Sequence, residues 1–63
     1  MLRVAICDDD LKFTGEIETL VFQESRKLGI RVETEVFSDG KTLLNSIQNG
    51  KHYQLIFIDI EIC

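Results

Sequence analysis

The sequence predicts an α/β fold, a three-stranded parallel sheet of order 2-1-3 formed by the succession β-α-β-α-β. Three observations carry this. The apolar runs Arg3-Val4-Ala5-Ile6-Cys7 and Leu55-Ile56-Phe57-Ile58 have the length and β-branched content of strands buried on both faces, the pattern of a parallel sheet. Two stretches with apolar residues at helical spacing lie between them, each followed by a glycine. A strictly alternating segment separates those two stretches. With short connections and right-handed crossovers, the first strand lies most economically between the other two.

The first run leads into Asp8-Asp9-Asp10, and Asp10 is placed to cap the first turn of a helix. That helix carries Phe13, Ile17, Leu20, Val21 and Leu28 on its apolar face and stops at Gly29. Gly15, inside its first turns, costs about 1 kcal/mol relative to Ala and is expected to allow close packing near the acidic cluster. From Ile30 the pattern alternates, with Ile30, Val32, Thr34 and Val36 on one side and Arg31, Glu33 and Glu35 on the other. This is a half-exposed strand, hence an edge of the sheet. Ser38-Asp39-Gly40 opens a second helix, with Ser38 as its cap and Leu43, Leu44 and Ile47 as its apolar face. Asn49-Gly50 ends it; the same dipeptide also suits a hairpin turn, but the helical run before it favours a helix stop. Lys51-His52-Tyr53-Gln54 connects to the last strand, Leu55–Ile60, with His52 on the surface and Tyr53 against a helix end.

A chain of 63 residues is at most one domain and buries only about 60% of its unfolded surface, so its stability is marginal. Its net charge is −4, and five of its eleven acidic residues are Asp8, Asp9, Asp10, Asp59 and Glu61, so much of the imbalance is local. The basic residues are scattered, which argues against this segment gripping nucleic acid itself. No apolar stretch is long enough for a signal peptide or a membrane span, so the expected location is the cytoplasm. Cys7 reads as a small buried hydrophobe and Cys63 as an exposed thiol, and neither belongs to a Cys-x-x-Cys grouping.

Ligands of open parallel sheets bind beyond the carboxyl ends of the strands, where the strand order reverses. Order 2-1-3 puts Asp8, Asp9 and Asp59 on neighbouring strand ends, about 5 Å apart laterally. Like charges so close must be protonated or share a cation, and Mg²⁺ suits them: it takes oxygen ligands and needs only one or two carboxylates plus a phosphate oxygen. One carboxylate can then act as nucleophile and form an aspartyl-phosphate. Asp59 is the choice, because an apolar strand holds it rigidly, while the consecutive Asp8 and Asp9 are suited to flank a metal. Ser38 and Thr42 have no His or Lys placed to activate them.

These residues resemble the N-terminal half of a response-regulator receiver domain, the CheY-like phosphoacceptor of two-component signalling, a flavodoxin-like fold. Val4-Ala5-Ile6-Cys7-Asp8-Asp9-Asp10 is similar to the family's first strand with its Mg²⁺-binding acidic pair, which falls on Asp8 and Asp9. Leu55-Ile56-Phe57-Ile58-Asp59 is similar to its third strand, which makes Asp59 the phosphoacceptor and the main-chain carbonyl of Glu61 a further metal ligand. Ile-Cys-Asp-Asp-Asp and Asp-Ile-Glu, with Phe37-Ser38-Asp39-Gly40 between, look most like receivers attached to LytTR-type DNA-binding domains.

The resemblance covers the whole chain, residues 1–63, but about half of the family's domain. The family's third helix, its fourth strand with a Ser/Thr and its fifth strand with a Lys have no counterpart here, and Cys63 falls where such receivers carry Pro. The resemblance implies a phosphoryl group from a sensor histidine kinase and transcriptional regulation through an output domain that would alone contact DNA, with no stand-alone enzyme activity beyond slow self-phosphorylation and dephosphorylation. A second reading, of another class, is an interaction module in which two copies pair their exposed Leu55–Ile60 edges antiparallel into a six-stranded homodimer. A third is a haloacid-dehalogenase-like fragment, but Lys12 stands where that family expects Thr or Val.

Overall fold

The structure, a computed structural model, describes residues 1–58. Five elements follow one another: β1 (Leu2–Cys7), α1 (Leu11–Leu28), β2 (Val32–Phe37), α2 (Gly40–Gln48) and β3 (Leu55–Ile58). The sheet is parallel throughout and its order is β2-β1-β3, the predicted 2-1-3. Of the strand expected over Leu55–Ile60, positions 59 and 60 lie outside the described residues.

Register shows which face each helix covers. Val4 pairs with Thr34, whose hydroxyl donates to Glu18 of α1 at 2.6 Å, so Val4 and Ile6 face α1. Ala5 pairs with Glu35, which is tied through Tyr53 to Ser46 of α2, so Ala5 and Cys7 face α2. One helix on each face explains why Val4, Ala5, Ile6 and Cys7 are all buried in an unbroken run. On the α2 side Ala5, Cys7, Phe37 and Leu43 form a core, closed by Tyr53, whose ring meets Phe37 edge-on at 6.1 Å and 85°.

The ends of α1 follow the predicted chemistry. Asp10 Oδ1 accepts from the N–H groups of Lys12 and Phe13, at 3.0 and 3.2 Å. Gly29 takes the left-handed conformation, φ 70°, that lets its own N–H and that of Ile30 bond the carbonyls of Arg26 and Ser25. The cap of α2 differs from expectation: it is Asp39, not Ser38. Asp39 is extended, and its Oδ1 accepts from both the N–H and the hydroxyl of Thr42 at 2.7 Å. A carboxylate one position nearer the helix is the stronger acceptor for the first-turn donors.

The apolar faces are also narrower than their spacing suggests. Thr14 is the buried residue of α1 and Leu43 that of α2, while Phe13, Leu20, Leu28, Leu44 and Ile47 remain exposed. Both helices pack on β1 and β2, and neither packs on β3. The reading of a strand buried on both faces therefore holds for β1 and fails for β3, whose four residues are 38–51% exposed. With three strands and two helices, the sheet outruns its cover.

Gly15 corrects another expectation, because a Cβ placed there meets nothing within 4 Å. No close approach requires this glycine. Gly15→Ala is expected to stabilise the fold by about 1 kcal/mol through helix propensity alone. An unchanged or lower urea midpoint would show that a contact of this glycine matters after all.

Candidate functional site

The carboxyl end of β1 holds the acidic cluster, and its three members are treated differently. Asp8 is 7% exposed. Its N–H donates to the Phe37 carbonyl at the end of β2, at 3.0 Å, and its Oδ1 accepts the Asp10 N–H at 2.9 Å. The Asp10 N–H thus orients the side chain, while the Phe37 carbonyl anchors the Asp8 backbone. Asp9 is exposed, and Asp10 serves α1 as its cap, as predicted.

Beside Asp8 opens a groove of about 220 Å³ lined by Phe13 and Ile17 of α1, Ile6 and Cys7 of β1, and Phe57 and Ile58 of β3. It exists because α1 does not extend over β3. The last described pair of the β1–β3 ladder is Cys7 with Ile58. Asp8 follows the first of these in the sequence and Asp59 follows the second. Asp59 and Glu61, the predicted acceptor and the predicted carbonyl ligand, lie outside the described residues, as does Cys63.

Among the described residues no group of three His, Cys, Asp or Glu comes together as a metal site. Asp8 and Asp9 nevertheless fit a hard cation by donor type: carboxylate oxygens at a sheet rim, one nearly buried and one exposed, beside an open groove. Burial raises the Cys7 thiol above its ordinary value, and the carboxylates of Asp39 and Asp8 raise it further. It stays protonated at neutral pH and belongs to the core, in keeping with the sequence reading. His52 is exposed, also as read.

A second polar cluster sits on the α2 face and was not anticipated. The Tyr53 hydroxyl donates to Glu35 Oε2 at 2.7 Å and lies 2.9 Å from Ser46 Oγ, and Lys51 Nζ reaches Glu35 Oε1 at 3.1 Å. Alternation alone assigned Glu35 to the solvent side. It is half-buried because both faces of this sheet carry a helix. Below it, Gln54 accepts the Arg3 N–H through Oε1 at 2.6 Å and donates its own N–H to the Arg3 carbonyl at 2.9 Å, fastening the start of β3 to β1. Both arrangements join elements distant in sequence, and neither brings a nucleophile to a base in a cleft.

The hydrogen bond from Tyr53, and then Lys51, hold the Glu35 carboxyl below its ordinary 4.5. A carboxyl with a lowered folded pKa adds stability above its unfolded pKa and loses it as the pH falls through the folded value. Tyr53→Phe is therefore expected to lower the urea midpoint near pH 7, and the gap from wild type is expected to shrink when the pH falls well below 4.5. A gap of the same size at both pH values would assign the loss to packing of the hydroxyl.

No helix among the described residues is long and apolar enough to cross a membrane. No protein-family model, curated protein or solved structure matches the chain.

Proposed function

We propose that this chain is the N-terminal half of a receiver domain, in which Asp59 accepts a phosphoryl group from a sensor histidine kinase. The observation that best supports this is the pairing of Cys7 with Ile58 in a parallel sheet of order β2-β1-β3, since the two strands run in sequence into Asp8-Asp9 and Asp59. The nearly buried, backbone-aligned Asp8 adds to it.

In this reading Asp8, Asp9, Asp59 and the main-chain carbonyl of Glu61 hold Mg²⁺, which when bound offsets the negative charge of an incoming phosphoryl group. An Asp59 carboxylate oxygen attacks phosphorus, the bond from phosphorus to the donor's imidazole nitrogen breaks, and the nitrogen keeps the electron pair and takes a proton. Asp8 and Asp9 keep the rim negative, which favours the divalent cation. The protein acts in the cytoplasm, and its regulatory output passes to a LytTR-type DNA-binding domain outside this sequence. The test is incubation with Mg²⁺ and a small phosphodonor. One acid-stable, hydroxylamine-labile phosphate per chain is expected, and none forms when EDTA is present during the incubation. No incorporation, or incorporation indifferent to EDTA, would overturn the reading for this chain.

A further inference from the structure

The two edges of this sheet are unlike. On the β2 edge Arg31, Glu33 and Glu35 put charges along the strand, a device that keeps sheet edges from pairing. The described β3 strand is Leu55-Ile56-Phe57-Ile58, without charge, proline or bulge. Leu55 and Phe57 pair with Val4 and Ile6 and so lie on the α1 face, while Ile56 and Ile58 pair with Ala5 and Cys7 on the α2 face. All four are 38–51% exposed, and neither helix packs over them. A strand open on both faces, with no described strand along its outer edge, is a template for another strand.

Sequence on either side of β3 selects the partner and its direction. Lys51 and His52 precede the strand, and Asp59 and Glu61 follow it. A parallel neighbour with the same sequence would set acid beside acid. An antiparallel copy with its axis at Ile56 instead sets Leu55 opposite Phe57 and Ile56 opposite its own copy, and brings the Lys51 end of one strand toward the acidic end of the other. We infer that β3 is a self-recognition edge: two copies of the chain join β3 to β3 antiparallel across a twofold axis at Ile56, giving one six-stranded sheet. Leu55 of each chain then lies opposite Phe57 of the other, and the apolar strips of both faces become continuous. A twofold contact uses up the open edge of both copies and leaves only the charged β2 edges outside, so assembly stops at two. The inference stands apart from the phosphoacceptor reading, since it uses no acidic side chain as a ligand or nucleophile.

The test is light scattering with size exclusion on the full chain and on variants in a Cys63→Ser background, without metal or phosphodonor. The Cys63→Ser chain is expected to have twice the 7.2 kDa chain mass. Ile56→Lys, which puts a charge at the axis, is expected to return it to the single-chain mass with its circular dichroism retained. Should that variant unfold, Ile56→Cys decides: mild oxidation is expected to cross-link it to a dimer, because each Ile56 faces its own copy, whereas Glu33→Cys on the β2 edge stays uncross-linked. A single-chain mass at all concentrations, a ladder of larger oligomers, or cross-linking through position 33 in place of 56 would each overturn the inference. Phosphate incorporation is read separately, so either proposal can fail alone.

Discussion

Asp59→Asn is expected to abolish phosphate incorporation, and Asp8→Asn to lower it by about 10-fold or more at limiting Mg²⁺, the low end for disturbing the surroundings of a bound metal. The two substitutions act on different parts of the proposed chemistry. An asparagine at 59 has nearly the shape of aspartate but no carboxylate oxygen to attack phosphorus, so no excess of metal rescues it. An asparagine at 8 keeps an oxygen that can accept the Asp10 N–H, and the Asp8 N–H still reaches the Phe37 carbonyl, so the fold is retained. What it loses is one negative charge at the rim, and raising Mg²⁺ is expected to recover part of the incorporation. Mass spectrometry of the intact chain across a Mg²⁺ series reads both. Full incorporation in Asp59→Asn would move the acceptor elsewhere, and indifference of Asp8→Asn to Mg²⁺ would remove Asp8 from the metal.

Ile6→Ala is expected to unfold the chain or come close to it. Ile6 is 1% exposed in the central strand, between Val36 and Phe57 in register, and faces α1. Truncating such a side chain costs about 2–5 kcal/mol, less where neighbours can close the space. Here the adjoining groove of about 220 Å³ lets Phe13, Ile17 and Phe57 shift inward, which points to a loss of about 3 kcal/mol. A single core of this size rarely supplies more than about 3–5 kcal/mol in all, so that loss is most of the total. Leu28→Ala is the control: Leu28 is 71% exposed, and its truncation is expected to change stability by less than about 0.5 kcal/mol. Urea titration followed by circular dichroism separates the two. Equal, small effects would mean that β1 is not the centre of the core.

The buried Ile6 and the exposed Ile58 come from apolar runs that look alike in the sequence, and the difference between them is a matter of position in the sheet. Composition and spacing determine that both runs are strands, that Asp10 caps α1 and Gly29 ends it, and that the second strand in sequence lies at an edge. Each of these is a local property: the period of apolar side chains, a carboxylate within reach of first-turn N–H groups, or a residue without Cβ where φ is positive. The α/β class and the strand order follow from the same signals, because short crossovers leave few topologies open. The acidic residues at the ends of both runs are equally legible, and with them the phosphoacceptor proposal.

Tertiary structure alone decided how much of each apolar stripe is used. Leu44 and Ile47 have the right spacing for a helix face, yet α2 lies over β1 and β2 and leaves them in solvent, while Thr14 is buried at the point where α1 meets the sheet. It also decided which carboxylate caps α2, Asp39 over Ser38, a choice between adjacent residues that depends on which one is extended at the helix entrance. The Glu35, Tyr53, Ser46 and Lys51 cluster joins one strand, one helix and one loop across up to 18 residues of sequence. No local pattern encodes such a meeting. Periodicity states which side of an element a residue takes, and only the packing of elements states whether another element is there to cover it.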